Sequence, residues 1–409
     1  MTRLNRFAVG ALAAATALLG ARAASAQVMC NDTTTLPNPI ILTGSSAFEA
    51  TVKTFAVKLS AEATPTTIIY QTPGSCAGVA NVVGTTAAPG PAALTGTAHY
   101  YTLSGTTITT NNCTFGTNQT ADLAISDVFY ESCSNVAQPK PSTVTDISGP
   151  VQAMLFVVPK ANTTTNYLTY AEANNIYGCG VTTAKPIAGF SDPMGVFCRD
   201  PNSGTQITIA KNIGLDASVI VPPNICVSAS GTGPLITAEL NYAANMPQNA
   251  IGFIAADAFD SNRSTLNSLA FKSLGQTTPF FSDSNSSVAD RRNVRDGHYT
   301  IWGYEHMIYT GTATAKVTNF ISWINGTSTD PNIDYVALEG GAGTIPLCAM
   351  KVKRATDGGL LDHFTPTETC SCAFEAAISK STPSGCTTCT GTGTSTCTGG
   401  LSCHHGYCE

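Results

Sequence analysis

Charge is what this sequence has least of. Lys, Arg, Asp and Glu supply only 11% of its 409 residues, and acids outnumber bases 26 to 20. Nucleic acids are held by clustered Lys and Arg that neutralise phosphates, so a nucleic-acid partner is excluded. Histidine is scarce at six, and the main body has neither an evident metal cluster nor a Gly-x-Ser-x-Gly elbow, which argues against catalysis. Beyond the extreme N-terminus, no apolar run is long enough to span a membrane. What remains is 43% hydrophobic and rich in Thr, Ser, Asn, Gly and Ala. That is enough apolar material for two to three domain-sized units, in the composition of an exported protein.

The N-terminus agrees. Arg3 and Arg6 precede the apolar run Phe7 to Gly20, and Ala24-Ser25-Ala26 forms an A-x-A cleavage site. Residues 1–26 are expected to be a signal peptide, with the mature chain starting at Gln27. Without Arg3, Arg6 and Arg22, 17 bases face 26 acids, a net charge of −9. An anionic ligand would then have to be held by local dipoles rather than by a global field. All fifteen cysteines lie in the mature part. Export favours disulfides, and the odd count leaves one sulfur over.

Along the chain, short apolar strands alternate with helical patterns. Ile40-Ile41-Leu42 reads as a buried strand, broken by Gly44-Ser45-Ser46 before a helix from Ala47 to Ala61. Thr67 to Gln71 is a second strand, followed by Gly74-Ser75 and a helix-like run from Cys76 to Val82. Such alternation predicts an α/β fold with mainly parallel sheets, whose ligands bind beyond the carboxyl ends of the strands. Around residues 85–120 the rhythm breaks. Two β-rich runs, His99 to Leu103 and Thr106 to Thr109, flank Ser104-Gly105 and predict an inserted hairpin, which a Cys76–Cys113 disulfide could tie down.

Ala121 to Asp127 resumes the core as a strand ending in a carboxylate, and Val151 to Pro159 is a long apolar strand suited to crossing between lobes. Leu168 to Gly178 reads as a helix, Ala250 to Ala255 as a strand, Tyr299 to Tyr309 as a return strand and Lys316 to Ile324 as an amphipathic helix. The charge-dense run Asp290 to Asp296 is expected to be a solvated connection with internal ion pairs. From Thr365 the chain becomes Gly/Thr/Ser-rich, with seven cysteines and few apolar residues, and must be stapled rather than packed. Zinc on Cys386, Cys389, Cys403 and the adjacent histidines is the weaker reading of that tail, because the ligand spacing is wrong.

One stretch carries the functional argument. Arg199 is followed by Ser203-Gly204-Thr205 and a run that can continue as a helix. Ser203 is a favourable N-cap, and Gly204 admits close approach to the backbone. A helix N-terminus and a guanidinium fork together suit a tetrahedral oxyanion.

Four turns, Ser45 to Phe48, Gly74-Ser75, Ser126-Asp127 and Arg199 to Thr205, occur in the order seen in a known family. In these motifs, in the Ile-Tyr-Gly turn near Gly178 and in Ala250-Ile251-Gly252-Phe253, the chain resembles the phosphate-specific periplasmic binding proteins of ABC transporters, from about Ile40 to Gly359. The resemblance implies a two-lobed type II fold with a hinge. Lobe 1 would span 27–150, lobe 2 151–297, a return to lobe 1 298–364, and a cysteine-rich tail 365–409. It further implies that Ser46, Ala47, Phe48, Ser75 and Asp127 hold phosphate from one lobe, and Arg199, Ser203, Gly204 and Thr205 from the other. No cofactor is implied, and an ABC transporter permease would be the uptake partner. Asp127 would accept a hydrogen bond from a proton-bearing ligand oxygen and so reject sulfate. Two departures stand out: Ala47 replaces a family threonine, and Pro201 replaces the aspartate that orients the arginine. The alternative function is a surface or matrix adhesion protein that reuses the fold, with the tail as its interaction module.

Overall fold

The computed structural model describes residues 28–222, 224–328, 330–391 and 397–409. The expected signal peptide lies outside them. The fold is built on one nine-stranded mixed sheet. Ile40–Gly44 (β1) is apolar on both faces and fully buried, as a strand covered on both sides must be. It runs parallel to Ile68–Gln71 (β2) and to Leu123–Ser126 (β5). Glu49–Ser60 (α1) buries Val52, Phe55, Ala56 and Leu59, the i, i+3, i+4, i+7 spacing of a helix with one apolar face. Ser75–Val83 (α2) packs on the sheet so closely that a Cβ at Gly78 would lie 2.3 Å from the Gly44 Cα.

The expected hairpin is present as Thr97–Ser104 (β3) and Thr107–Thr114 (β4). It is an edge extension of the same sheet, since β3 pairs with β2. The proposed Cys76–Cys113 bridge is not formed. Cys113 bonds Cys30 and Cys76 bonds Cys133, because β3 and β4 carry Cys113 to the sheet edge while α2 sits on its face.

Val144–Pro159 (β6) starts seven residues before the expected strand and extends for sixteen, about 50 Å at strand rise. Its first part pairs with Trp302–Thr310 (β13), and its last part with Gly252–Ala255 (β10) and Leu266–Ser268 (β11). β13 also pairs with β5. These two antiparallel strands carry the chain between the parallel β1-β2-β5 region and the elements around Arg199. There, Tyr167–Thr169 (β7) pairs with Ala270–Lys272 (β12), and Phe197–Cys198 (β8) with Val227–Ser228 (β9). The helices of that region are Tyr170–Cys179 (α3), Gly204–Asn212 (α4), Thr232–Ala243 (α5), Ala256–Ser261 (α6) and Arg292–Arg295 (α7). Leu168 and Thr169, expected to be helical, are strand and N-cap: Thr169 and Glu172 form a capping box that starts α3 at Tyr170.

The charge-dense run is also corrected. Arg291 and Arg295 are buried at 1% and 2% exposure. Arg291 reaches Asp283 at 2.8 Å and also pairs with Asp260, while Arg263 bridges the same two carboxylates at 2.7 and 3.0 Å. Arg295 pairs with Glu375 at 2.8 Å. Facing acids, which the local sequence does not reveal, turn a solvated run into a buried knot.

Ala315–Ile324 (α8) and Tyr335–Ala342 (α9) follow β13, and Ser371–Ser379 (α10) opens the tail. α10 packs against α9, and its Glu375 holds Arg295. Cys348–Cys370 anchors the tail, and Cys372–Cys386, Cys389–Cys403 and Cys397–Cys408 staple it. The sulfurs of the zinc reading are therefore all spent in disulfides. With Cys198–Cys226, seven bridges leave Cys179 as the odd thiol. Among the described residues, no helix is long and apolar enough to cross a membrane.

Breaking a buried ion pair by removing one partner costs about 3–5 kcal/mol. Arg291→Ala is expected to lose about that much, read as a fall in the urea midpoint. An unchanged midpoint would show that the knot carries no stability.

Candidate functional site

β1 ends at Gly44 with φ of 140°, where a Cβ would lie 1.9 Å from the Ile125 carbonyl oxygen, so only glycine fits. The turn that follows points Ser45 inward. Its Oγ accepts the Ala47 N–H at 2.9 Å and donates to Asp127 Oδ1. Ser46 makes no side-chain hydrogen bond among the described residues and is the one expected site residue that is not buried. Phe48 caps α1 and is fully buried. Ser75 is the first residue of α2, and its Oγ accepts the Asp127 N–H at 3.2 Å. Asp127 follows β5 at 2% exposure.

The opposite jaw meets this one directly. Arg199 follows β8 at 4% exposure and leads to Ser203, the N-cap of α4. Ser203 makes no side-chain capping bond, which leaves its hydroxyl unused by the helix. Thr205 Oγ1 lies 3.5 Å from Asp127 Oδ2, and the Asn202 carbonyl accepts the Cys76 N–H at 3.2 Å. Gly204 is pressed against the other side: a Cβ there would be 2.2 Å from Ser75 Oγ and 2.7 Å from Asp127 Oδ2. The N-termini of α1, α2 and α4 thus meet around one buried carboxyl.

Burial pushes the Asp127 pKa up, and hydrogen bonds from Ser45 and Glu305, the Arg199 charge and Ser75 pull against it. Arg199 is lowered by burial, with Asp127 and Asp200 opposing. Among the described residues, no carboxylate hydrogen-bonds the guanidinium. Arg199 Nη1 donates instead to Thr232 Oγ1 at 3.2 Å, while its backbone N–H is held by Gln206 at 2.9 Å. Thr232 is the first residue of α5.

Sequence reasoning missed Ser45, Thr232 and three residues beneath the α1 N-terminus. Gln152 Nε2 donates to the Ala47 carbonyl at 3.2 Å and to Asp257 Oδ1 at 2.7 Å. Glu305, on β13, is 1% exposed and faces Asp127. One signal was available for it: Glu305 is a lone acid inside the apolar return strand. Arg199, Ser203, Gly204 and Thr205 come together with Ala47, Phe48, Ser75 and Asp127.

No family profile matches the chain, and no curated protein is similar enough in sequence to align. Solved structures do match. One, from Clostridium perfringens, is provisionally described as a phosphate ABC transporter substrate-binding protein and was solved with phosphate bound. It superposes with a TM-score of 0.53 at 15% identity, over 76% of this chain and all of that one. The fold is that of the two-lobed substrate-binding proteins. An ABC-type phosphate transport receptor from Vibrio cholerae aligns at 17% identity with a TM-score of 0.48, over 75% of this chain and 99% of that one.

Asp257 gives the site a pH signature. Burial pushes its pKa from 3.8 to about 7. A carboxyl raised on folding lends stability that is whole below its unfolded pKa and is lost as pH rises to its folded pKa. Asp257→Asn should match the wild type in urea unfolding at about pH 4 and exceed it at about pH 8. A gap that is the same at both pH values would contradict the assignment.

Proposed function

We propose that this protein is an exported solute-binding protein that captures inorganic phosphate, or a related tetrahedral oxyanion, between its two lobes. The carrying observation is the meeting of three helix N-termini and Arg199 at a buried, water-excluded carboxyl. Backbone N–H groups at helix starts and a desolvated guanidinium stabilise an anion with donors already in place, and low local dielectric strengthens each of them. Phe48 and Ser75 would donate from one lobe, and Arg199, Ser203, Gly204 and Thr205 from the other. Asp127 would accept from a protonated ligand oxygen. Hinge closure across β6 and β13 would bring the two jaws together.

The bound phosphate of the Clostridium perfringens structure is in line with this reading. Seven disulfides suit an oxidising compartment such as the periplasm or cell surface. Delivery to an ABC transporter permease is the use proposed for the captured anion, and none of the arrangement calls for bond making or breaking.

Micromolar or tighter binding, about −8 kcal/mol or better, is expected in phosphate calorimetry near neutral pH. Arg199→Ala should weaken it about 100-fold or more, since a charge-assisted pair in a desolvated site is worth several kcal/mol. Equal affinity in the two proteins would overturn the reading.

A further inference from the structure

We propose that Glu305 is a neutral hydrogen-bond donor that holds Asp127 as an acceptor-only carboxylate, and so sets the site's preference for oxyanions that carry a proton, such as hydrogen phosphate, over fully ionised ones such as sulfate. The proposal rests on the oxyanion-clamp reading and adds a positioning residue to it.

The backbone makes the juxtaposition. β13 and β5 pair His306 with Ser126 and Met307 with Ile125, so the next antiparallel step sets Glu305 opposite Asp127. The register of β13 against β6 breaks between Tyr304 and His306, at Glu305. Gly303 lets the strand pass so near that a Cβ there would lie 2.4 Å from the Asp127 carbonyl oxygen. His306, the next residue, packs instead against Asp146 and Phe129.

Glu305 therefore faces inward toward the Asp127 carboxyl at 1% exposure, and as an acceptor neither of its oxygens finds a donor among the described residues. The groups around it are Asp127 at the end of β5, Asp257 at the start of α6 and Tyr70 on β2. Tyr70 spends its hydroxyl on the Ser45 carbonyl. Arg199 faces Asp127 from the other jaw. Among the described residues no cation sits against Glu305 itself, so ionising it would place a bare charge beside two acids in a dry site.

Burial, followed by Asp127 and Asp257, pushes the Glu305 pKa well above the usual carboxyl range. Burial raises the Asp127 pKa, and a hydrogen bond from Glu305 works against that rise, as a donor to the charged form must. A protonated Glu305 thus offsets part of the burial cost of the Asp127 carboxylate without adding a second negative charge to an anion site. Held ionised, Asp127 can only accept, and sulfate at neutral pH has no proton to give it. Were Asp127 to become protonated, it could donate to sulfate and the discrimination would fade.

The test uses the mature protein and competition calorimetry with phosphate and sulfate at about pH 7.5. Glu305→Leu removes the donor and should lower the phosphate-to-sulfate affinity ratio about tenfold or more, the equivalent of one pKa unit on Asp127. Glu305→Gln supplies a neutral N–H donor and should restore the ratio to within about threefold of the wild type. An unchanged ratio in the Leu variant would overturn the proposal. So would a Gln variant that binds phosphate more than about tenfold tighter, because that result means Glu305 is ionised in the native protein.

Infrared spectra need neither ligand nor the Leu variant. The wild type should show carbonyl bands of protonated carboxylic acids at about pH 7.5, and the difference spectrum against Glu305→Gln should show the loss of one of them, while those of buried Glu239 and Glu339 remain. If the difference spectrum shows no lost carbonyl band, the proposal fails. Absence of any oxyanion binding by the wild type would instead refute the clamp reading, and the infrared result would still decide the state of Glu305.

Discussion

Everything at the centre of this molecule depends on the approach of the α4 N-terminus to Ser75 and Asp127. Position 204 must be glycine, because any side chain there would overlap both residues. The contact takes Arg199 and Asp127 out of water together. Removing charges from water costs several kcal/mol each unless donors and counter-charges are already aimed at them. Ser45 and Ser75 meet Asp127, and Thr232 and Gln206 steady Arg199. The long strands β6 and β13 carry the two jaws to this meeting, and the same pair brings in Glu305 and Gln152 from behind.

The chain keeps its buried acids in two ways. Where cations are available, as at Arg291 with Asp260 and Asp283, they form a compact ion-pair knot. Where none is near, burial raises the carboxyl instead: Glu239, Glu305 and Glu339 are fully buried, and all three are pushed well above the usual carboxyl range. A neutral carboxylic acid is a tolerable guest in a dry interior and an ionised one is not. For the proposed anion site the second way would have a particular merit, since a neutral Glu305 would donate a hydrogen bond without repelling the ligand. The scarcity of charge in the sequence and the local placement of charge in the fold are thus two sides of one arrangement.

Much of this was legible in the sequence, and the legible parts are local. The strand, turn and helix from Ile40 to Ser60, the hairpin, the Ser203 cap and α8 follow from periodicity and turn chemistry within a dozen residues. The jaws could be named because each is a short motif. What was hidden is long-range. Cys76 and Cys113 are separated by which face or edge of the sheet each element occupies. Arg291 and Arg295 are buried by acids that arrive from Asp260, Asp283 and Glu375. Glu305 reaches Asp127 through strand register across nearly 180 residues, and Ser45 rather than Ser46 turns inward because the exact exit angle of β1 decides it.

The central claim is that one tetrahedral anion is held between the jaws. A crystal grown with arsenate, a heavy analogue of phosphate, locates the ligand directly by the anomalous scattering of arsenic. The account predicts one strong peak within hydrogen-bond reach of Arg199, Ser203 and Thr205 on one side and of Phe48 and Ser75 on the other, with Asp127 accepting from it. A peak elsewhere on the protein, or none at saturating arsenate, would contradict it.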